Sequence, residues 1–256
     1  MRAFLRFLAL AANDFKSRYA GNSLGAAWAF AYPCITVLIY WFVFRAALKT
    51  GGSGDVPYIL WLVSALVPYM FVSESVSGSA SVMLDYSFLV KKARFDWRVL
   101  PAVRVVSYTF IHLFFAALLL ALSVFFGFSP KTGDLWLIYF LLAELIFTAA
   151  VSYIMSAAAV FFRDIRNALG VLFQLGFWLT PIFWDISSLS PRLGLAVKII
   201  NPVTYITEGI RQTVLCGSPF GLGAAYTAYF WLLTLALGAC AALLFSRLKG
   251  SLADYL

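Results

Sequence analysis

Histidine is almost missing from this chain. His112 is the single one in 256 residues, which excludes a multi-histidine metal centre. Cysteine is scarce as well: Cys34, Cys216 and Cys240 show neither close pairing nor metal-ligand spacing, and Cys34 and Cys240 lie in apolar runs as expected of inert packing thiols. Charge is thin, at 12% of residues where soluble chains carry about a quarter. The aspartates (Asp14, Asp55, Asp85, Asp96, Asp134, Asp164 and Asp185) are scattered over termini and loops and form no recognisable pair for acid–base work. The chain has no GxxxxGK[ST] phosphate loop and no HExxH, GxSxG or CxxC pattern. Nucleotide hydrolysis and the common metal and nucleophile chemistries therefore have no motif here. A membrane-bound glycosyl- or acyltransferase assembled from distant loops is the enzyme class left open. Low-complexity tracts and internal repeats are not visible, which counts against an inverted-repeat carrier.

What fills the chain is apolar: 63% of residues are hydrophobic and the mean hydropathy is +0.90. A soluble fold cannot hide that much apolar surface, so the solvent is lipid. Six apolar runs, at about 26–45, 57–74, 103–128, 135–160, 167–184 and 222–246, predict an all-α membrane protein forming a single transmembrane domain over 1–256. Pro57, Pro130 and Pro181 mark run edges, while Pro33 and Pro68 sit inside runs. Residues 1–20 are not read as a signal peptide, because Arg6 interrupts the apolar stretch. On a helical wheel Arg2, Arg6, Asn13, Lys16 and Ser17 share one sector and Phe4, Phe7, Leu8, Ala11 and Phe15 fall largely elsewhere, which predicts an amphipathic helix on a membrane surface.

The net charge of +8 resides on loops. With the N-terminus inside, thirteen Lys/Arg (Arg2, Arg6, Lys16, Arg18, Lys91, Lys92, Arg94, Arg98, Arg104, Arg163, Arg166, Arg247, Lys249) face the cytoplasm and six (Arg45, Lys49, Lys131, Arg192, Lys198, Arg211) face out. That asymmetry predicts both termini in the cytoplasm, with anionic lipid headgroups rather than nucleic acid as the basic surface's partner.

Two connections are unusual. Residues 75–102 form a long inside link whose centre, "LVKKARFDW", interleaves Lys91, Lys92, Arg94 and Asp96 with Phe88, Phe95 and Trp97. It reads either as a basic loop on lipid headgroups or as a docking helix for a cytoplasmic partner. Outside, "NPVTYITEGIRQTVLCG" has Asn201 placed as an N-cap, Pro202 at the first helical position and Gly217 as a stop. About 14 helical residues reach roughly 21 Å, short of the ~30 Å hydrocarbon core, so a re-entrant or interfacial helix is expected, paired with one near "PRLGLAVKII". Glu208 and Arg211, three apart, can pair on its face.

Glu144 lies inside the fourth run and must face the bundle interior or water, as a pore or proton-relay group or as a satisfied packing residue. A proton-coupled carrier built on it is one alternative function. His112 has no acidic neighbour in sequence and is expected to be satisfied within its helix. Aromatics crowd the first run (Trp28, Phe30, Tyr32, Tyr40, Trp41, Phe42) and the fifth (Phe173, Phe177, Trp178, Phe183, Trp184), with Phe173, Phe177 and Trp184 spaced i, i+4, i+11 on one helical face. Such rings either face lipid and core or line a path where sugar rings stack. One six-helix bundle leaves little free space at protein packing density, so a wide path calls for two copies about a two-fold axis.

"RYAGNSLGAAWAFAYP", "VFFRDIRNALGVLFQLGFWLTPIFW" and "NPVTYITEGIRQTVL", in this order and over nearly the whole chain, resemble the membrane subunits of ABC type 2 exporters, nearest the polysaccharide and polyol-phosphate branch of O-antigen, capsule and teichoic-acid permeases. The resemblance implies a homodimeric channel that moves a lipid-linked glycan across a bacterial inner membrane, with two copies of a separate ATPase. This chain then carries no cofactor, ATP and Mg acting on the partner, and is no enzyme. It implies a coupling helix at 84–98, with Phe88, Lys91, Lys92, Arg94, Phe95 and Asp96, and a second contact at Arg163 and Asp164. It implies an entrance at the corner formed by Arg18, Tyr19, Gly21, Gly25 and Trp28. The route is then lined by Tyr32, Tyr40, Trp41, Phe173, Phe177, Trp178 and Trp184, and the outer helices at 186–216 form a gate with Asn201, Pro202, Tyr205, Glu208 and Arg211. Export of a drug or a small lipid by the same architecture is the nearest alternative.

Overall fold

The computed structural model describes residues 2–49, 56–90, 95–128, 135–217 and 220–248, and among these there is no strand. Helix α1 (Arg2–Tyr19) ends at a corner where Gly21 (φ 90°) and Gly25 (φ 51°) take up left-handed backbone. Nothing lies within 4 Å of a Cβ built on either glycine, so the requirement there is conformational rather than steric. Chain direction then changes into α2 (Trp28–Trp41), which carries Pro33 and runs on as a π turn over Phe42–Ala47. The remaining helices are α3 (Tyr58–Asp85), the single turn α4 (Ser87–Val90), α5 (Leu100–Phe125), α6 (Leu135–Phe161), α7 (Ile165–Leu179), α8 (Pro191–Ile200), α9 (Val203–Cys216) and α10 (Ala224–Arg247).

Five of these segments are long and apolar enough to cross a membrane: Gly25–Ala47, Tyr58–Asp85, Trp97–Phe125, Leu135–Phe161 and Ala224–Arg247. The second differs from the expected 57–74 run. α3 continues through Asp85, because "SVSGSASV" is a packing surface rather than the start of a link: Ser75, Ser79 and Ala80 are buried, and a Cβ on Gly78 would sit 2.7 Å from the Tyr108 ring. Small residues let membrane helices approach closely, and their mild polarity looked like a loop. The fifth run, 167–184, forms a 15-residue helix, about 22 Å long, that stops at Leu179. Thr180 adopts extended backbone ahead of Pro181, as the residue before a proline prefers. Trp184 therefore lies off the helix, and the i, i+4, i+11 face holds only as far as Phe173 and Phe177.

α3 is the central column. In its apolar window 78% of residues are buried, against 11% for Gly25–Ala47 and 22% for α10, which puts those two on the periphery. α5, α6 and α9 pack directly on α3, whereas α10 leans mainly on α6. One apolar core joins α3 to α5, α6 and α9 through Leu60, Leu66, Ile111, Phe140 and Ile206, and a second at the α1 end joins Val82, Val90, Leu100, Val160 and Phe245.

α9, the helix too short to span, is buried along most of its 14 residues. Asn201 Oδ1 accepts from the Val203 N–H at 3.2 Å, so Asn201 does cap the start, with Pro202 standing just ahead of the first helical residue instead of being it. Gly217 closes the other end at φ 74°.

Candidate functional site

At the α1 end a buried ionic junction joins three helices. Asp14, on the inner face of α1, is 1% exposed. Its carboxylate lies 3.3 Å from Arg104 Nε on α5 and 3.6 Å from Arg18 Nε, and accepts a 2.9 Å hydrogen bond from the Tyr86 hydroxyl. Arg104 also pairs with Asp85, the last residue of α3, at 2.6 Å. Burial, reinforced by the Asp14 charge and its hydrogen bond, pushes the Tyr86 hydroxyl up to about 12. Arg18 donates to Ser107 Oγ at 2.7 Å and lies 3.7 Å over the Tyr108 ring. Two of the aspartates that are scattered in sequence are thus drawn together: Asp14 and Asp85 share one arginine. Arg18, expected at an entrance, has its guanidinium committed to holding α1 on α5.

The two segments expected to couple to a partner emerge at this same end. Phe88 on α4 is 60% exposed, while Phe95 packs on the second core. Asp96 caps a 3-10 turn over Trp97–Val99 by accepting from the Arg98 N–H at 3.2 Å. Lys91, Lys92 and Arg94 lie outside the described residues. Arg163 and Asp164 are exposed in the turn between α6 and α7. Val90, within the first segment, and Val160, just ahead of the second, share the second core.

The opposite end is locked by α9. Arg211 Nη1 meets Glu208 Oε1 at 2.6 Å, and both side chains are under a tenth exposed. The guanidinium stacks 3.7 Å over the Trp61 ring and donates to the Trp61 and Ile182 carbonyls, each at 3.3 Å. Burial raises the Glu208 carboxyl above its ordinary range, and the adjoining guanidinium opposes that shift. Asn201 Nδ2 donates to Thr180 Oγ1 at 2.7 Å. Tyr205, 1% exposed, shares a 2.9 Å hydroxyl contact with Tyr139, which accepts from Trp231 Nε1 at 2.7 Å, and its ring stacks on Phe230 at 4.4 Å. Of the five residues expected at an outer gate, Asn201, Tyr205, Glu208 and Arg211 are interior links from α9 or its start to α3, α6, α10 and the chain after α7, and Pro202 is half-buried just ahead of α9.

The aromatic residues divide in two. Tyr40, Phe173 and Phe177 join Tyr69 and Phe183 in one packed cluster: Tyr40 contacts Phe177 at 5.5 Å and Phe183 at 5.0 Å, Tyr69 contacts Phe177 at 5.6 Å, and the Tyr69 hydroxyl donates to the Phe173 carbonyl. Tyr32 (61% exposed), Trp178 (58%), Trp28 (42%) and Trp41 (37%) project outward from α2 and α7 instead. Trp184 is half-buried and donates to the Trp178 carbonyl at 3.1 Å. Tyr19 is half-buried at the corner beside Phe15.

Two features escaped the sequence reading. His112 and Glu144 are partners, with Nε2 and Oε2 3.0 Å apart, and the imidazole stacks on Phe71 at 4.4 Å. The pair joins α5 to α6 across 32 positions, so no local spacing announces it. Glu74, half-buried on α3, lines a crevice with Pro33, Tyr108 and His112 and acts electrostatically on Arg18 and Tyr19. The only signal for it was a lone carboxylate at the edge of an apolar run. Among the described residues no group of three His, Cys, Asp or Glu is placed to hold a metal ion.

Comparison with known proteins fits this architecture. The profile of the family described as "ABC-2 type transporter" matches residues 6–215. An O-antigen export system permease protein RfbA of Myxococcus xanthus is 29% identical over 200 residues, covering 78% of this chain and 76% of the relative. A protein of the same name from Klebsiella pneumoniae is 25% identical over 245 residues, covering 95% of this chain and 92% of the relative. A multi-pass, all-helical transport subunit without catalytic motifs, matched by that profile over most of its length, belongs to the ABC-2 type transporter family.

Proposed function

We propose that this chain is the channel-forming subunit of an ATP-driven exporter that moves a lipid-linked polysaccharide, of O-antigen or capsule type, from the cytoplasm across a bacterial inner membrane. The observation that carries the reading is the similarity, along 245 residues, to permeases named for O-antigen export. The proposed assembly is a homodimer with two copies of an ABC ATPase, on which ATP and Mg act. Both termini lie in the cytoplasm, on the side where basic loop residues are concentrated. α7, extended by the chain through Trp184, serves as the sixth crossing.

Three structural features support this assignment. The outward aromatic faces of α2 and α7 supply surface for a second copy, and rings for weak, repeated stacking on sugars. Apart from Arg166 in the first turn of α7, their exposed residues carry no charge that would hold a polymer in one place. Val90, at the end of α4, and Val160, three residues ahead of Arg163, share the second apolar core, so one docking partner can reach both segments. The α1 junction ties the first of them, through Asp85 and Tyr86, to the helix that leads into the glycine corner. ATPase closure shifts the channel only if the docked segments make different contacts in the two states, and the charged and aromatic side chains of that surface supply such contacts.

Copurification of the full-length chain with an ABC ATPase, followed by glycan analysis of a depletion strain, tests the assignment. Expected are a stable complex and a build-up of lipid-linked glycan on the cytoplasmic side. A complex with normal glycan export on depletion would instead assign the machine to a drug or small lipid. Transport that persists without the ATPase and collapses with the proton gradient would overturn the ATP-driven reading.

A further inference from the structure

The peripheral seam between α6 and α10 encloses a groove of about 520 Å³. Small side chains, among them Ala149, Ala150, Gly238 and Ala242, form its floor. It starts near mid-helix, at Ile146 and Thr234, and ends at Tyr153 and Phe245 toward the α1 end. The eleven positions from Thr234 to Phe245 rise about 16 Å, close to the ~15 Å of hydrocarbon in one leaflet. At the mouth stands Arg98. Among the described residues its carboxylate partner is Asp96, 4.0 Å away in an exposed pair too weak to occupy the guanidinium. Beside it, Trp97 packs on Phe245 at 5.3 Å and Phe245 on Tyr153 at 4.9 Å, so an aromatic stack sits where the groove meets the headgroup region.

We propose that this groove binds one acyl chain of an anionic phospholipid of the cytoplasmic leaflet, whose phosphate is held by Arg98. A guanidinium takes a phosphate through paired hydrogen bonds, and a narrow apolar channel one leaflet deep fits an alkyl chain. A partner helix does not fit as well: it would need the groove to continue toward the α9 end, and the lining stops at Ile146 and Thr234. The bound lipid bears on the Trp97–Phe245–Tyr153 stack and so braces the segment that leads from Asp96 into α5. Only the choice of leaflet rests on the orientation proposed above.

Full-length protein in nanodiscs, with phosphatidylglycerol or phosphatidylcholine carrying a photoactivatable group on the acyl chain, tests the site. The probe populates both leaflets, so an inverted orientation would leave the result intact, and cysteine accessibility reports orientation separately. Peptides covering 146–153 and 234–245 are expected to be labelled about fivefold more by the phosphatidylglycerol probe. Arg98→Gln should bring the two probes to parity, and Gly238→Leu should remove groove labelling by both. The exposed face of α5 at Phe110 and Phe114 should be labelled equally by both probes in every variant, which certifies the fold. Equal groove labelling in the parent protein, a phosphatidylglycerol excess that survives Arg98→Gln, or groove peptides crosslinked to a second copy instead of lipid would each overturn the proposal.

Discussion

Arg104 is the most informative residue to remove from the α1 junction. Asp14 there is 1% exposed and has three partners: Arg104 at 3.3 Å, Arg18 at 3.6 Å and the Tyr86 hydroxyl at 2.9 Å. Arg104→Met keeps the apolar stem but leaves a buried carboxylate with one more distant cation. Removing one member of a buried pair costs about 3–5 kcal/mol. With Arg18 and Tyr86 still present, the lower end applies, about 3 kcal/mol. Asp14→Asn is a different perturbation. It removes the buried anion, while Arg104 keeps Asp85 at 2.6 Å and Arg18 keeps Ser107 and the Tyr108 ring. Its cost should be near that of one hydrogen bond, about 1 kcal/mol. The double variant should resemble Asp14→Asn more than Arg104→Met, because the orphaned charge is gone, and the non-additivity should be about 2–3 kcal/mol.

Hydrogen exchange of the α1 amides reads this directly, since the junction is what holds α1 against α5. A loss of 3 kcal/mol accelerates exchange across α1 roughly 150-fold, and a loss of 1 kcal/mol about fivefold. Equal protection in the two single variants, or a double variant as exposed as the sum of both, would refute the reading of Asp14 as an anion made tolerable by Arg104.

Three further outcomes are expected. A Cβ on Gly209 would land on the Phe140 ring, in a site where Phe140 is 1% exposed, so Gly209→Ala should destabilise the α6–α9 contact by about 1–3 kcal/mol, read as earlier loss of monodisperse protein on heating, with Phe140→Leu restoring it. Arg94→Ala combined with Asp96→Ala should uncouple ATP hydrolysis from export while membrane insertion is unchanged, and normal export by that pair would remove the docking role of the link. Gly21→Val with Gly25→Val forces β-branched residues into left-handed backbone, at roughly 1–2 kcal/mol each. Export should then fall more than the dimer fraction does, whereas equal losses would make the corner a scaffold only.

Much of the fold was legible in the sequence because lipid imposes a simple rule: apolar runs of sufficient length become helices with their backbone satisfied internally. The amphipathic start, the glycine corner, the short α9 and its Asn201 and Gly217 ends all follow from local chemistry. Legibility failed where a residue's role depends on a distant partner. "SVSGSASV" is polar enough to resemble a loop, and only the closeness of Tyr108 to Gly78 shows why small residues stand there. Asp14 and Asp85 are 71 positions apart, and no periodicity foretells that Arg104 joins them. Glu208 and Arg211 were readable as a pair because they are three residues apart, yet their burial against Trp61 was not. The aromatic runs misled in part for a similar reason. Composition shows that Phe177 and Trp178 are both large and apolar, and only packing shows that one is half-buried in an aromatic cluster while the other faces outward.

These tie points lie along a single helix. α3 meets Arg104 through Asp85 at one end, and Arg211 through the ring and carbonyl of Trp61 at the other, with Phe71 stacked on His112 between them. The 24 positions from Trp61 to Asp85 span about 36 Å, well beyond the distance at which separate substitutions influence each other's stability. Arg104→Met and Arg211→Met should therefore add in unfolding free energy. Transport-coupled ATP hydrolysis by the assembly is a different quantity. If α3 moves as one body, loosening either grip already breaks the connection between the docking end and α9, and the second substitution has little left to remove. Less-than-additive loss of coupling alongside additive loss of stability is the expected pattern. Additivity in both would make α3 a static pillar and assign the motion to the peripheral helices, where α2 and α10 are held by far less buried surface.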